Sequence, residues 1–186
     1  IEKGWDARIV EAFAETDVEV LGVIGVDKYA GGLMVSAGHP HCFGKFMNLT
    51  DGELRVNIYN RKYAHKPVVA VDGMFMAVRA SHFKDVKFDE QFDQLFFYDM
   101  DYCLRSKCAV IDMMVAHYKT SDLFGKYPEA MKKIEEYEPL LYAKHGIIPS
   151  GKVGDTRCLT ATVKDYEEIG QDRLWSMFTE KYAVKA

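Results

Sequence analysis

Asp72 and Asp99 are the residues of this chain best placed for acid–base chemistry, because each stands where the local pattern changes. The apolar run Val69-Ala70-Val71 enters Asp72-Gly73, and a glycine there lets a ligand come close to the backbone. Phe96-Phe97-Tyr98-Asp99-Met100-Asp101-Tyr102-Cys103-Leu104-Arg105 reads as an aromatic loop running into an acidic helix N-terminus. Such a terminus keeps a carboxylate ionised and oriented, which is what a general base requires. Plainer roles compete with these. Asp99 can be an N-cap, Asp72-Gly73 a strand-ending turn, and Asp101 a dipole partner or an i+4 contact of Arg105.

His117 follows the apolar run Ala109–Ala116. A strand-end imidazole can bind a metal through one nitrogen, or it can hydrogen-bond to the backbone. With a metal at that place, Lys119, Thr120 and Ser121 could contact phosphate oxygens. His39-Pro40-His41-Cys42 puts two imidazoles on one side of an extended chain. A structural zinc needs about four ligands, and no second pair lies nearby in sequence, so this segment reads as a pocket-shaping loop. Arg61, Lys62, His65 and Lys66 form a small basic cluster, either a solvated loop or a patch for a phosphate or acidic acceptor.

These groups need elements to hold them. Trp5, Ile9, Val10 and Phe13 fall at helical spacing, which predicts an amphipathic helix over about 5–15. Val18–Val26 is β-branched and apolar, as in a parallel strand buried on both faces. A hairpin is expected between Lys45–Leu49 and Leu54–Tyr59, turning at Asp51-Gly52. Val68–Val78 reads as a strand broken at Asp72-Gly73, with a helical turn starting at Ser81–Phe83. A helix is expected over about 100–107, then a strand over Ala109–Ala116. Pro128–His145 has proline near its start and Gly146 after its end, the signals of a helix. A short strand near 157–163 and one helix over Asp165–Tyr182, with Ile169, Leu174, Met177 and Phe178 on one side, complete the reading.

At 186 residues the chain fits one domain with a sizeable core. Its formal net charge of −4 gives no general attraction to nucleic acid or anionic membrane. No apolar run approaches the roughly 18 residues that cross a bilayer, and the polar start Ile1-Glu2-Lys3-Gly4 shows no signal peptide. Cys42, Cys103, Cys108 and Cys158 form no metal-type spacing and read as reduced thiols of a cytoplasmic protein. Walker, GxGxxG, HExxH and GxSxG motifs are absent from the sequence.

Taken together, Val-Asp-Gly-Met-Phe-Met-Ala-Val-Arg over 71–79, Phe-Asp-Glu-Gln-Phe over 88–92 and Asp-Met-Asp-Tyr-Cys-Leu-Arg over 99–105 resemble the acceptor-side half of a GT-A glycosyltransferase of the family 2 type. Gly-Trp-Asp-x-Arg-Ile-Val near the start looks like the helix that follows the acidic metal motif in those enzymes. The resemblance implies an α/β fold with a GT-A-like mixed, mostly parallel sheet flanked by helices. It implies one domain over 1–186, with a GT-A-like core over 1–118 and a helical C-terminal extension over 119–186.

It further implies transfer of a sugar, with inversion, from a UDP-linked donor to a hydroxyl acceptor, with Mn²⁺ or Mg²⁺ on the diphosphate. Asp99 would be the base. Asp72, Gly73, Tyr98, Lys119 and Ser121 would contact substrate, and His117 would join the metal shell. Arg79, at the family's arginine, reads as a structural partner. Two departures stand out. Tyr98 replaces the family's usual Glu, and the Asp-x-Asp metal motif and nucleotide half would belong upstream of Ile1. A non-catalytic GT-A-like module that binds nucleotide or sugar is the alternative, and a homo-oligomer is left open.

Overall fold

The computed structural model describes residues 3–29, 31–50, 52–92, 96–117, 128–149 and 158–183. Helix α1 (Trp5–Glu15) forms where the amphipathic spacing predicts it. The apolar run after it is two strands, β1 (Val20–Gly22) and β2 (Ile24–Val26), rather than one. Val23 is the break: its carbonyl accepts the Lys45 amide at 3.3 Å, and the chain passes there from one sheet into another. Every residue from Val20 to Val26 is buried.

The first sheet has the order β5-β8-β1-β7, with β5 His65–Val68, β8 Cys108–Ile111 and β7 Met76–Val78. The second has the order β10-β4-β3-β2-β6, and β9 also pairs with β3. Here β3 is Cys42–Thr50, β4 Glu53–Ile58, β6 Ala70–Val71, β9 Ala116–His117 and β10 Leu159–Thr162. The mixed α/β architecture with flanking helices is as expected, but its ladders are mostly antiparallel rather than mostly parallel. Only β1–β8 and β3–β9 run parallel among the described residues. Parallel neighbours need a long crossover, whereas β3 and β4 are joined by a hairpin at Gly52 and the 70–78 segment returns antiparallel along β1 and β2.

That return carries a register slip. Gly22 pairs with Met76 and Gly25 with Val71, so three steps on one side face five on the other. Two extra residues must therefore leave the sheet, as at a β-bulge. The segment pushed out is Asp72–Phe75, which explains why the strand breaks at Asp72-Gly73.

The run 109–116 also divides, into β8 and β9, with Asp112 between them. Lys45 and Lys62 both pair with Asp112, and Lys45 also donates to Gln171 at 3.2 Å. Helices α2 (Ala80–Asp85) and α3 (Tyr98–Cys103) are short, and α4 (Pro128–His145) has the expected bounds. The single C-terminal helix expected over 165–182 is two, α5 (Val163–Ile169) and α6 (Gln171–Ala183), because Gly170 lies at φ 82 between them. Its buried side is Leu174 and Trp175; Met177 and Ile169 are exposed. Since β10 pairs with β4, the segment after 119 supplies a strand as well as helices.

The main core includes Leu21, Ile24, Phe97, Tyr102, Met113 and Leu141. A smaller core under α6 holds Val56, Ile58, Met114, Leu174 and Trp175. Among the described residues no helix is long and apolar enough to cross a membrane. The four cysteines are free thiols.

Candidate active site

The bulged turn and helix α3 bring Asp72, Gly73, Tyr98 and Asp99 together. The Asp72 amide donates to the Ile24 carbonyl at 2.9 Å, just beyond the C-terminal end of β1. In an open α/β sheet, this is the end where ligands bind. Asp72 Oδ1 accepts the Met74 amide at 2.9 Å, a side-chain bond that holds the turn. Asp99 accepts the Gly73 amide on Oδ2 and the Met100 amide on Oδ1, each at 2.8 Å.

Gly73 is required by contact. A Cβ there would lie 2.1 Å from Tyr98 Oη, 2.7 Å from Tyr98 Cζ and 3.1 Å from Asp99 Oδ2. Gly73→Ala is therefore expected to displace the Tyr98 ring and to destabilise the protein by about 1–3 kcal/mol, the usual effect of overpacking. Thermal melts check this, and a variant that melts with the wild type would mean that Tyr98 moves aside freely.

Burial, and then the neighbouring charge of Asp72, push the Asp99 carboxyl up to about 6; the amides of Gly73 and Met100 oppose the shift and are outweighed. The Tyr98 phenol is raised too, by burial and then by Asp99 and Asp72. The helix-terminal amides act on Asp99 in the expected direction, but burial and Asp72 outweigh them. Helix α3 has six residues, and Asp99 lies inside its first turn rather than at its cap. Phe97 holds the cap position in the left-handed region, at φ 68. A bulky residue there is strained, and the ring is held in place by burial, being only 2% exposed.

The other side of α3 carries Asp101, which is fully buried. It pairs with Arg105 at 2.7 Å, the i+4 contact expected from sequence. It also pairs with Lys144 at 2.6 Å and His145 at 2.8 Å, both at the end of α4. Burial alone would raise this carboxyl, but hydrogen bonds from Lys144, His145 and Arg105 outweigh it and hold Asp101 below the usual carboxylate value. Lys144 reaches Asp89 as well, at 2.5 Å. The pairing partners of Asp101 on α4 had no signal in sequence, since nothing in spacing links residue 101 to 144.

Helix α4 also fixes the loop that follows β2. The Gly32 amide donates to Glu138 Oε1 and to Tyr142 Oη, each at 2.7 Å, and Tyr142 donates to Glu138. Tyr29 donates to the Gly32 carbonyl at 2.6 Å. Its phenol is raised mainly by burial, with smaller contributions that include the Asp99 charge, so this loop lies within electrostatic reach of Asp99.

His117 is placed elsewhere on the sheet. It pairs with Asn48, four residues along β3 from Gly44, which faces Ile24 beside Asp72. That is about 13 Å along the strand. Its ring meets the edge of Phe46 at a centroid distance of 6.1 Å. Lys119, Thr120 and Ser121 lie outside the described residues. Two lysines of the basic cluster have separate acidic partners. Lys62 pairs with Asp112 and Lys66 with Asp27, at 2.9 and 3.4 Å. Arg79 is structural, donating to the carbonyls of Phe13, Thr16 and Val18 at the end of α1. Among the described residues no group of three His, Cys, Asp or Glu side chains is arranged to hold a metal ion.

The model of a family described as "Glycosyltransferase like family" matches residues 1–139. Comparison with curated proteins and with solved structures gave no match.

Proposed function

Because this chain belongs to that glycosyltransferase-like family, we propose that it transfers a sugar from a UDP-linked donor to an acceptor hydroxyl, with Asp99 as the general base. The acceptor O–H gives its proton to the Asp99 carboxylate as its oxygen attacks the anomeric carbon. The bond to the nucleoside diphosphate breaks, with inversion at that carbon. The supporting observation is the Asp99 environment: two backbone amides aim the carboxylate, while burial and Asp72 bring it to about 6. A base is most effective when its pKa lies near the working pH.

Asp72, Gly73 and Tyr98 form the wall beside Asp99 and are proposed to contact substrate. Lys119 and Ser121 remain proposed phosphate contacts. A divalent cation, Mn²⁺ or Mg²⁺, belongs to the same proposal, with His117 in its shell. The described residues do not make a metal site by themselves. Asp99 accepts a backbone amide on each oxygen and Asp72 accepts one on Oδ1. Free thiols fit a reducing compartment such as the cytoplasm.

The test is a calorimetric titration with UDP, with and without Mn²⁺. Binding that requires the metal supports the donor reading. No binding under either condition would sink it for this chain and favour the non-catalytic alternative.

A further inference from the structure

A groove of about 740 Å³ lies at the end of β2, between the loop carrying His39 and helix α6. It begins at Asp27, three residues past Ile24, so about 10 Å along the strand from the level of Asp72. One wall comes from Asp172 and Trp175, beyond the region matched by the family model.

The walls are already ordered by their own contacts. The His39 ring lies against Trp175 at a centroid distance of 5.5 Å, and Tyr63 meets Phe43 edge-on at 5.6 Å. Asp27 holds His41 Nδ1 at 2.9 Å and Lys66 Nζ at 3.4 Å. Exposed His39 and Arg61 and half-buried Tyr63 face this space. The formal charges balance, with Arg61 and Lys66 against Asp27 and Asp172. That balance disfavours a polyanion such as a phosphate chain. Planar donors and acceptors beside aromatic rings suit an uncharged polyhydroxyl ligand instead, and the volume lies within the range of small-molecule sites.

We propose that this groove binds an oligosaccharide and holds the acceptor chain away from the point of transfer. The proposal rests on the reading that the chain glycosylates a hydroxyl, and names that acceptor as a glycan with several units bound at once. Arg61 and His39 are its specificity-determining contacts. Asp99 is not among the residues that line the groove.

The test is ligand-observed NMR and calorimetry on the whole chain with neutral gluco-, galacto- and N-acetylglucosamine oligosaccharides of four to six units, and with the matching monosaccharides. At least one oligosaccharide is expected to bind about tenfold or more tightly than its monosaccharide, and Arg61→Ala and His39→Ala should each weaken it about five- to tenfold, the loss of one or two hydrogen bonds. Equal affinity in wild type, Arg61→Ala and His39→Ala overturns the groove assignment, as does no binding by any oligosaccharide. Both variants alter exposed side chains, and a melt at the wild-type temperature shows that they fold. Metal-dependent UDP binding tests the transferase reading separately, so the two can fail independently.

Discussion

Asp99→Asn is expected to lower sugar transfer about 10²–10⁴-fold, the usual contribution of a positioned general base, while leaving UDP affinity nearly unchanged. In the wild type, activity should rise with pH through about 6, as the carboxyl loses its proton, and then level off. Asp72→Asn removes the neighbouring charge that helps raise Asp99 and should move this acidic limb to lower pH. Retained turnover in Asp99→Asn would place the base elsewhere.

The same variant makes a stability prediction of opposite sign. The folded Asp99 carboxyl lies at about 6 against 3.8 for the ordinary group, so folding opposes its ionisation. The penalty is absent below the ordinary value, grows between the two and is complete above about 6. Its full size is about 3 kcal/mol. Asn removes it but can satisfy only one of the two amides, at a cost of about 1–3 kcal/mol. A small net gain at pH 7, lost in acid, is expected in denaturant melts at the two pH values.

Asp101→Asn is expected to destabilise the protein by about 3 kcal/mol, because Arg105, Lys144 and His145 would then converge on a buried neutral amide. For a chain of this size that corresponds to a fall of roughly 6–12 °C in melting temperature. The direction with pH follows from the depressed carboxyl. Its stabilisation is present above the ordinary carboxylate value and is lost as pH falls through the lower folded one. Wild type and variant should therefore converge in strong acid. A variant that melts within a degree or two of the wild type at pH 7 would mean that Arg105, Lys144 and His145 find water instead. Because Asp101 and Asp99 lie on the same short helix, loosening α4 from α3 should also disturb the aim of the Asp99 carboxylate.

Local pattern alone determined several elements of this chain. Helix α1, the hairpin at Gly52 and the bounds of α4 were legible because side-chain period, turn residues and end signals act over a few residues. The same is true of the carboxylates at 72 and 99, the glycine beside the first, and the family to which their order points. Tertiary structure decided what lies beyond that range. An unbroken apolar run such as Val18–Val26 does not reveal that Val23 divides it between sheets, because both halves are equally buried. The slip that pushes Asp72–Phe75 outward depends on which residues of 70–78 face β1 and β2, a long-range choice. The upward push on the Asp99 carboxyl was not legible because sequence shows a helix start but not burial or a second carboxylate beside it. Asp101 gave up only its i+4 partner for the same reason: Arg105 is one helical turn away, while Lys144 and His145 meet it only once α4 has packed against α3.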